Sequence, residues 1–125
     1  MIYTTPLKLN KDFKRLYYRG SFKASPNLVT YGMKRWDKQC HIGITVSKKI
    51  GKAHTRNRVR RIIRAAYAQL EQEQNLKGWD FVFVARTASV EQKSTDIYQD
   101  MKKQLSFVLS KDSGKGKKQS GFKKG

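Results

Sequence analysis

The seventeen residues from Lys48 to Arg64 carry eight Lys or Arg and no acid. Five of the cations are Arg: Arg56, Arg58, Arg60, Arg61 and Arg64. A guanidinium presents a flat fork of N–H donors that matches two phosphate oxygens at once, whereas Lys offers a point charge. The window crosses the end of a strand pattern, the turn Ile50-Gly51-Lys52-Ala53 and the first turns of a helix pattern. A helix start exposes backbone N–H groups, so the guanidiniums gather at a natural anion site. Most charge runs are merely solvated helix faces. Here the charge order opposes that reading. The cations crowd the first turns while Glu71 and Glu73 occupy the last, against the helix macrodipole, at roughly a few tenths of a kcal/mol per charge. At ~100° per residue, Arg60, Arg64, Asn57 and Arg61 share one polar ridge beside the apolar stripe. Asn57 interrupts the Arg series. It can be an ordinary mid-helix or capping residue. Because its amide both donates and accepts, it can also contact a base edge or a ribose hydroxyl.

A second constellation lies near the start of the chain. Phe13, Tyr17 and Tyr18 alternate with Lys11, Lys14, Arg15 and Arg19. Single-stranded nucleic acid is held in this way, with bases stacked on rings and phosphates paired to cations. Phe13, Leu16 and Tyr17 at i, i+3 and i+4 would equally serve as a core stripe, which is the commoner use of such spacing. Tyr31 carries the same two readings.

Composition narrows the partner. The 125 residues have a net charge of +19, distributed unevenly. Residues 1–70 hold net +15, residues 71–110 net −1 and residues 111–125 net +5. Such asymmetry marks a face built for a polyanion. Nucleic acid ranks first and an anionic membrane second. A protein hydrolase site is not expected, since residues 1–70 contain only Asp12 and Asp37 as acids. His41 and His54 lack a general-base context and read as ordinary strand and helix-start residues. No catalytic side chain is therefore expected. With Cys40 as the single cysteine, neither a zinc cluster nor an intrachain disulfide is expected, and no metal-binding side chains are. Cys40 reads as structural. No run approaches the roughly 18 apolar residues of a spanning helix, and Met1 to Asn10 lacks a signal-peptide core. A cytoplasmic location is expected.

These residues need a scaffold. The pattern predicts a helix over Lys11–Arg19, with Asn10 as N-cap and Gly20 at its end. A short strand over Ser21–Ser25 follows, broken by Pro26. Strands Leu28–Arg35 and His41–Ser47 are joined by only Trp36-Asp37-Lys38-Gln39, which predicts an antiparallel hairpin. A long helix over His54–Asn75 has the stripe Val59, Ile62, Ile63, Ala66, Tyr67 and Leu70. Gly78 then leads to Asp80–Arg86, apolar without alternation and so a central strand. A last helix over Thr95–Leu109 buries Ile97, Met101, Leu105, Val108 and Leu109. The order α-β-β-β-α-β-α predicts an α/β (α+β sandwich) domain over residues 1–110, one sheet packed by helices. Residues 111–125 are Lys, Gly, Ser and Gln apart from Asp112, with Phe122 the only apolar side chain, which predicts a disordered basic tail.

The run Ser47-Lys48-Lys49-Ile50-Gly51-Lys52-Ala53-His54-Thr55-Arg56-Asn57-Arg58-Val59-Arg60-Arg61-Ile62-Ile63-Arg64 resembles the signature of the bacterial ribonuclease P protein subunit. Leu7-Lys8-Leu9-Asn10-Lys11-Asp12-Phe13 and Phe81-Val82-Phe83-Val84-Ala85-Arg86 are similar to that family as well. The resemblance implies a left-handed β-α-β crossover, on a fold shared with a ribosomal-protein domain. It implies that a catalytic RNA carries the chemistry of an endoribonuclease, with magnesium on that RNA and no cofactor held by the protein. It further implies two RNA surfaces. Arg56, Asn57, Arg58, Arg60, Arg61 and Arg64, with Lys49 and Lys52 of the turn, would face the catalytic RNA. Phe13, Tyr17, Tyr31, Ser47 and Lys48 would hold the 5′ leader of precursor tRNA. Tyr17 stands where members often have Phe. Catalytic RNA and precursor tRNA are thus the expected partners, with no membrane and no obligatory protein partner. The rival reading is a ribosomal or other structural RNA-binding protein without leader preference.

Overall fold

A computed structural model describes residues 1–112. The elements are β1 (Thr5–Pro6), α1 (Asn10–Arg19), β2 (Ser21–Ala24), β3 (Leu28–Lys34), β4 (His41–Thr45), α2 (Ala53–Glu73), β5 (Trp79–Ala85) and α3 (Ser94–Asp112). Short 3-10 turns at Lys48–Ile50 and Thr87–Glu91 flank α2 and α3. The strands form one mixed sheet in the order β1-β4-β5-β3-β2. The expected mixture of one sheet and three helices is present, preceded by the two-residue β1, too short for any period to reveal. Helix α3 runs two residues into the expected tail, whose remainder, residues 113–125, lies outside the described residues.

The expected hairpin does not form. Strand β5 lies between β3 and β4, antiparallel to the first and parallel to the second. Its run Phe81-Val82-Phe83 is buried on both faces and so takes the centre, where each neighbour covers one edge. The short link can still bridge two strand spacings, about 10 Å, because six extended residues reach roughly twice that distance. It wraps the start of β5: Arg35 N–H donates to the Gly78 carbonyl at 2.6 Å, and Gly78 N–H donates to the Gln39 carbonyl at 2.9 Å. Gly78 has φ +88°, a conformation that costs other residues strain.

Helices α2 and α3 cover one face of the sheet. Tyr67 of α2 sits against Phe81 and Phe83, with ring centroids 6.2 and 5.7 Å away. The stripes behave as expected, with Val59, Ile63, Ala66, Tyr67 and Leu70 buried on α2 and Ile97, Met101, Leu105 and Val108 on α3. Ile62 and Leu109 flank that core half-buried. Gln104 pins α3 to β3, donating to the Leu28 carbonyl at 2.8 Å and accepting from the Thr30 hydroxyl at 2.6 Å.

Helix α1 lies on the opposite face. Leu9, not Asn10, occupies its N-cap, and no side chain caps it; Asn10 is already helical. Gly20 does close the helix, but its φ is −72°, so handedness is not the reason for glycine. A Cβ there would stand 2.6 Å from the Leu16 carbonyl and 3.0 Å from that of Gly32.

Candidate RNA interface

The Lys-Lys-Ile-Gly turn exists to launch α2. Ile50 is buried as an anchor, and Gly51 has φ +150° with the Thr55 side chain close against it. Arg56 braces the turn by donating from Nε to the Gly51 carbonyl at 3.1 Å. The N-cap is Lys52, which has no acceptor to offer, and no side-chain bond caps the helix. An uncapped helix start among cations is an electrostatic arrangement that an incoming anion completes.

The ridge of cations is divided by the tertiary structure. Asn57, Arg58 and Arg61, with His54 and Thr55, line a surface pocket of about 440 Å³ against Val90. Arg58 is partly structural, donating to the Val90 and Gln92 carbonyls at 2.9 and 3.1 Å. Arg60 and Arg64 turn the other way. Both line a 240 Å³ hollow with Leu7, Phe13 and Gly43, and Arg60 also closes a 460 Å³ hollow with Asn10, Phe13, Lys14, Tyr17 and Thr45. Arg60 donates to Asn57 Oδ1 at 3.1 Å, so the Asn amide joins the two sides. Lys49 and Lys52 are exposed beside them.

The two hollows make one groove between α1 and the sheet. Its floor is shaped by glycine: a Cβ at Gly43 would come within 2.4 Å of two Phe13 ring atoms, so the ring lies directly on the backbone of β4. Tyr17 reaches the next outward position, its hydroxyl 3.0 Å from that of Thr45. Its ring meets Tyr31 of β3 edge-on at 5.0 Å. Leu16 points inward and is 2% exposed, whereas Phe13 and Tyr17 remain accessible. The stripe that looked like core thus uses one residue for packing and two for the groove wall. Of the five expected leader residues, Phe13, Tyr17 and Tyr31 are brought together. Ser47 and Lys48 are exposed just past the mouth, after Val46, and do not line the groove.

Sequence reasoning missed Asn10, Ile44, Thr45 and Val46 in the lining, whereas Lys14 stands among the cations it set beside the rings. Asn10, Phe13, Lys14 and Tyr17 follow an i, i+3, i+4, i+7 spacing that places Asn10 on the face of the rings, a signal that its use as a cap conceals. It also placed Arg60 and Arg64 on the catalytic-RNA side alone.

Acids near the groove's far end are neutralised. Asp80 accepts from Arg35 and lies against His41 Nδ1, each at 2.8 Å. Arg35 also grips Asp37 at 2.7 Å, and this bond holds the Asp37 carboxyl down to about 2 while raising the guanidinium above its usual range. A wider 850 Å³ cavity beside this cluster is lined by Lys8, Lys11, Arg15, Arg35 and residues of β1. Glu71, which opposed the helix dipole, has a local explanation. It is 3% exposed and accepts the backbone N–H groups of Ile2, Tyr3 and Thr4, tying the N-terminal segment to α2. Burial pushes its carboxyl up, but these donors outweigh that and hold it below the ordinary value. Cys40 is buried beside the Tyr67 hydroxyl, 3.2 Å away, and burial raises the thiol, consistent with a packing role. Among the described residues no three His, Cys, Asp or Glu cluster closely enough to hold a metal.

Comparison with known proteins identifies the family. Residues 2–108 match the family model described as Ribonuclease P. The chain is 42% identical over 99 residues to a ribonuclease P protein component of Clostridioides difficile (strain 630), covering 79% of this chain and 87% of that one. It is 37% identical over 109 residues to the component from Geobacillus kaustophilus (strain HTA426), covering 86% of both. The solved RNase P protein of Staphylococcus aureus superposes with a TM-score of 0.68 at 28% identity, over 88% of this chain and 94% of that one. The Thermotoga maritima RNase P protein shares the fold with a TM-score of 0.69 at 22% identity, over 89% and 98%. By a match that spans nearly all the described residues and relatives this similar, the chain belongs to the ribonuclease P protein family.

Proposed function

We propose that the chain is the protein subunit of ribonuclease P, binding the catalytic RNA and the 5′ leader of precursor tRNA and promoting endonucleolytic removal of that leader. The observation that carries the reading is the groove between α1 and β4, walled by accessible Phe13 and Tyr17 and closed by Arg60 and Lys14. Rings offer faces to bases of any sequence, and cations offset phosphate charge. Ser47 and Lys48 extend the leader path at the mouth. Lys49, Lys52, Arg56, Asn57, Arg58 and Arg61 form the catalytic-RNA side around the uncapped start of α2. Arg60 and Arg64 stand between the two surfaces, so they align leader and catalytic RNA. The protein supplies no catalytic side chain. The RNA carries hydrolysis with its own magnesium, and the protein lowers the salt and metal needed for assembly by offsetting repulsion between the RNAs. This reading takes the cytoplasm as the setting, with neither a membrane nor an obligatory protein partner. No helix among the described residues is long and apolar enough to cross a membrane.

The test adds purified protein to precursor tRNA alone, then with the catalytic RNA. Cleavage only in the combination, at lower magnesium than the RNA needs by itself, is the expected result. Cleavage by protein alone would make it a self-sufficient nuclease. Binding without leader preference or stimulation would favour a structural RNA-binding protein.

A further inference from the structure

We infer that Phe22, on the outer strand β2, is an additional base-stacking platform that lengthens the leader-binding surface of this chain beyond the groove. The inference rests on the leader reading above. Phe22 is 57% exposed on the terminal strand of the sheet. A large apolar ring on a sheet edge invites edge-to-edge association, and such edges ordinarily carry polar or charged side chains. Its register explains the placement. Phe22 pairs directly with Tyr31, so both rings stand on the α1 face, with centroids 5.7 Å apart and planes tilted by 32°. Tyr31 in turn touches Tyr17 at 5.0 Å. Tyr17, Tyr31 and Phe22 therefore form a continuous row from the groove to the sheet edge.

The occupant that suits this row is single-stranded RNA. From Phe13 to Trp36 the chain contains six Lys or Arg and no acid. That charge favours a polyanion and repels a second copy of a chain with net charge +19. An aromatic face stacks any base, so the added contact lengthens the bound segment without imposing a sequence.

Precursor tRNAs carrying 2-aminopurine at single, successive leader positions are bound to the holoenzyme assembled from catalytic RNA and protein. Affinity is measured against leader length for wild type, Phe22→Ser, Phe22→Tyr and Tyr17→Ala, with a denaturant melt of each. With Phe22→Ser, affinity should fall about tenfold, only for leaders long enough to leave the groove, and the stacking signal should vanish at one or two distal positions. Phe22→Tyr should restore both. A leader-dependent loss for Tyr17→Ala, with Phe22→Ser like wild type at every length, overturns the role of Phe22 and leaves the groove reading standing. No leader dependence for either variant removes the groove reading itself and this inference with it. Equal loss for leaderless tRNA, or a change in self-association instead of affinity, also overturns the assignment, in favour of another RNA surface or a second copy.

Discussion

The two faces of the sheet differ in dryness. On the α2/α3 face, Leu28, Phe81 and Phe83 are fully covered by Ile63, Tyr67, Leu70, Met101, Leu105 and Val108. On the α1 face, Leu16 and Val82 are covered in the same way, while Phe13, Val29, Tyr31 and Met33 are half-buried and Tyr17 is exposed. A ten-residue helix is too short to roof five strands. One face is therefore closed and carries the stability. The other is left open beside α1, so its aromatics are available to a ligand. Alternation along each strand keeps the roles separate, because neighbouring residues point to opposite faces.

That separation breaks most severely at Phe81. Phe81→Ala should destabilise the fold by about 3–5 kcal/mol in a denaturant melt and reduce RNA binding only through unfolding. A mild effect would show that the dry face repacks. The N-terminal tie to α2 comes next. Glu71→Gln turns a donor toward backbone N–H groups and should cost about 1–3 kcal/mol. Because the folded state holds the Glu71 carboxyl below its ordinary 4.5, its contribution is complete above that pH and is lost as pH falls below it. Wild-type stability should therefore drop more steeply in that window than the variant's. Asp37, held at about 2 by Arg35 against an ordinary 3.8, should add a further loss between those values.

On the open face the order of effects reverses. Tyr17→Ala should weaken binding of leader-bearing tRNA by about 1–3 kcal/mol, spare mature tRNA and hardly move the melt. Phe13→Ala should affect both measurements, because its ring packs on Gly43 while facing the groove. Gly43→Ala sharpens the point, since its Cβ must displace that ring and should impair leader binding with Phe13 itself intact. The smallest effect is at α2. Arg61→Ala should flatten the salt dependence of catalytic-RNA binding by about 0.7–0.9 log units per log salt, with the fold unchanged. Arg58→Ala should also shift the melt, because its guanidinium holds the Val90–Gln92 backbone. Equal salt slopes for wild type and Arg61→Ala would remove that Arg from the interface.

Much of the scaffold was legible because its signals are local. The stripes of α2 and α3 and the doubly apolar β5 correspond to buried residues close to their expected bounds. The candidate site was legible as a set of residue types: cations at a helix start, and aromatics among cations on the first helix. In β3 the apolar Val29, Tyr31 and Met33 alternate and so share a face, but it is the open one, and the covered face is Leu28, Thr30 and Gly32. Hydrophobic pattern identifies a face without saying what covers it. Asn10 failed as a cap because Leu9 already occupies the cap position, and a one-residue boundary is beyond what composition resolves.

The sequence by itself determined the three helices and the longer strands, the cationic excess of the first seventy residues and, through the long Lys-Lys-Ile-Gly and Arg-Asn-Arg run, the family. These follow from near-neighbour spacing and residue chemistry, which need no knowledge of distant contacts. Tertiary structure alone decided that β5 separates β3 from β4, that Arg60 and Arg64 turn toward Phe13 while Arg58 and Arg61 turn away, and that Phe22 continues the row begun by Tyr17. Each depends on residues nine or more positions apart that meet only when the chain folds. Such meetings are selected by the burial of β5 and the packing of α1 over Gly43, energies that no local window contains.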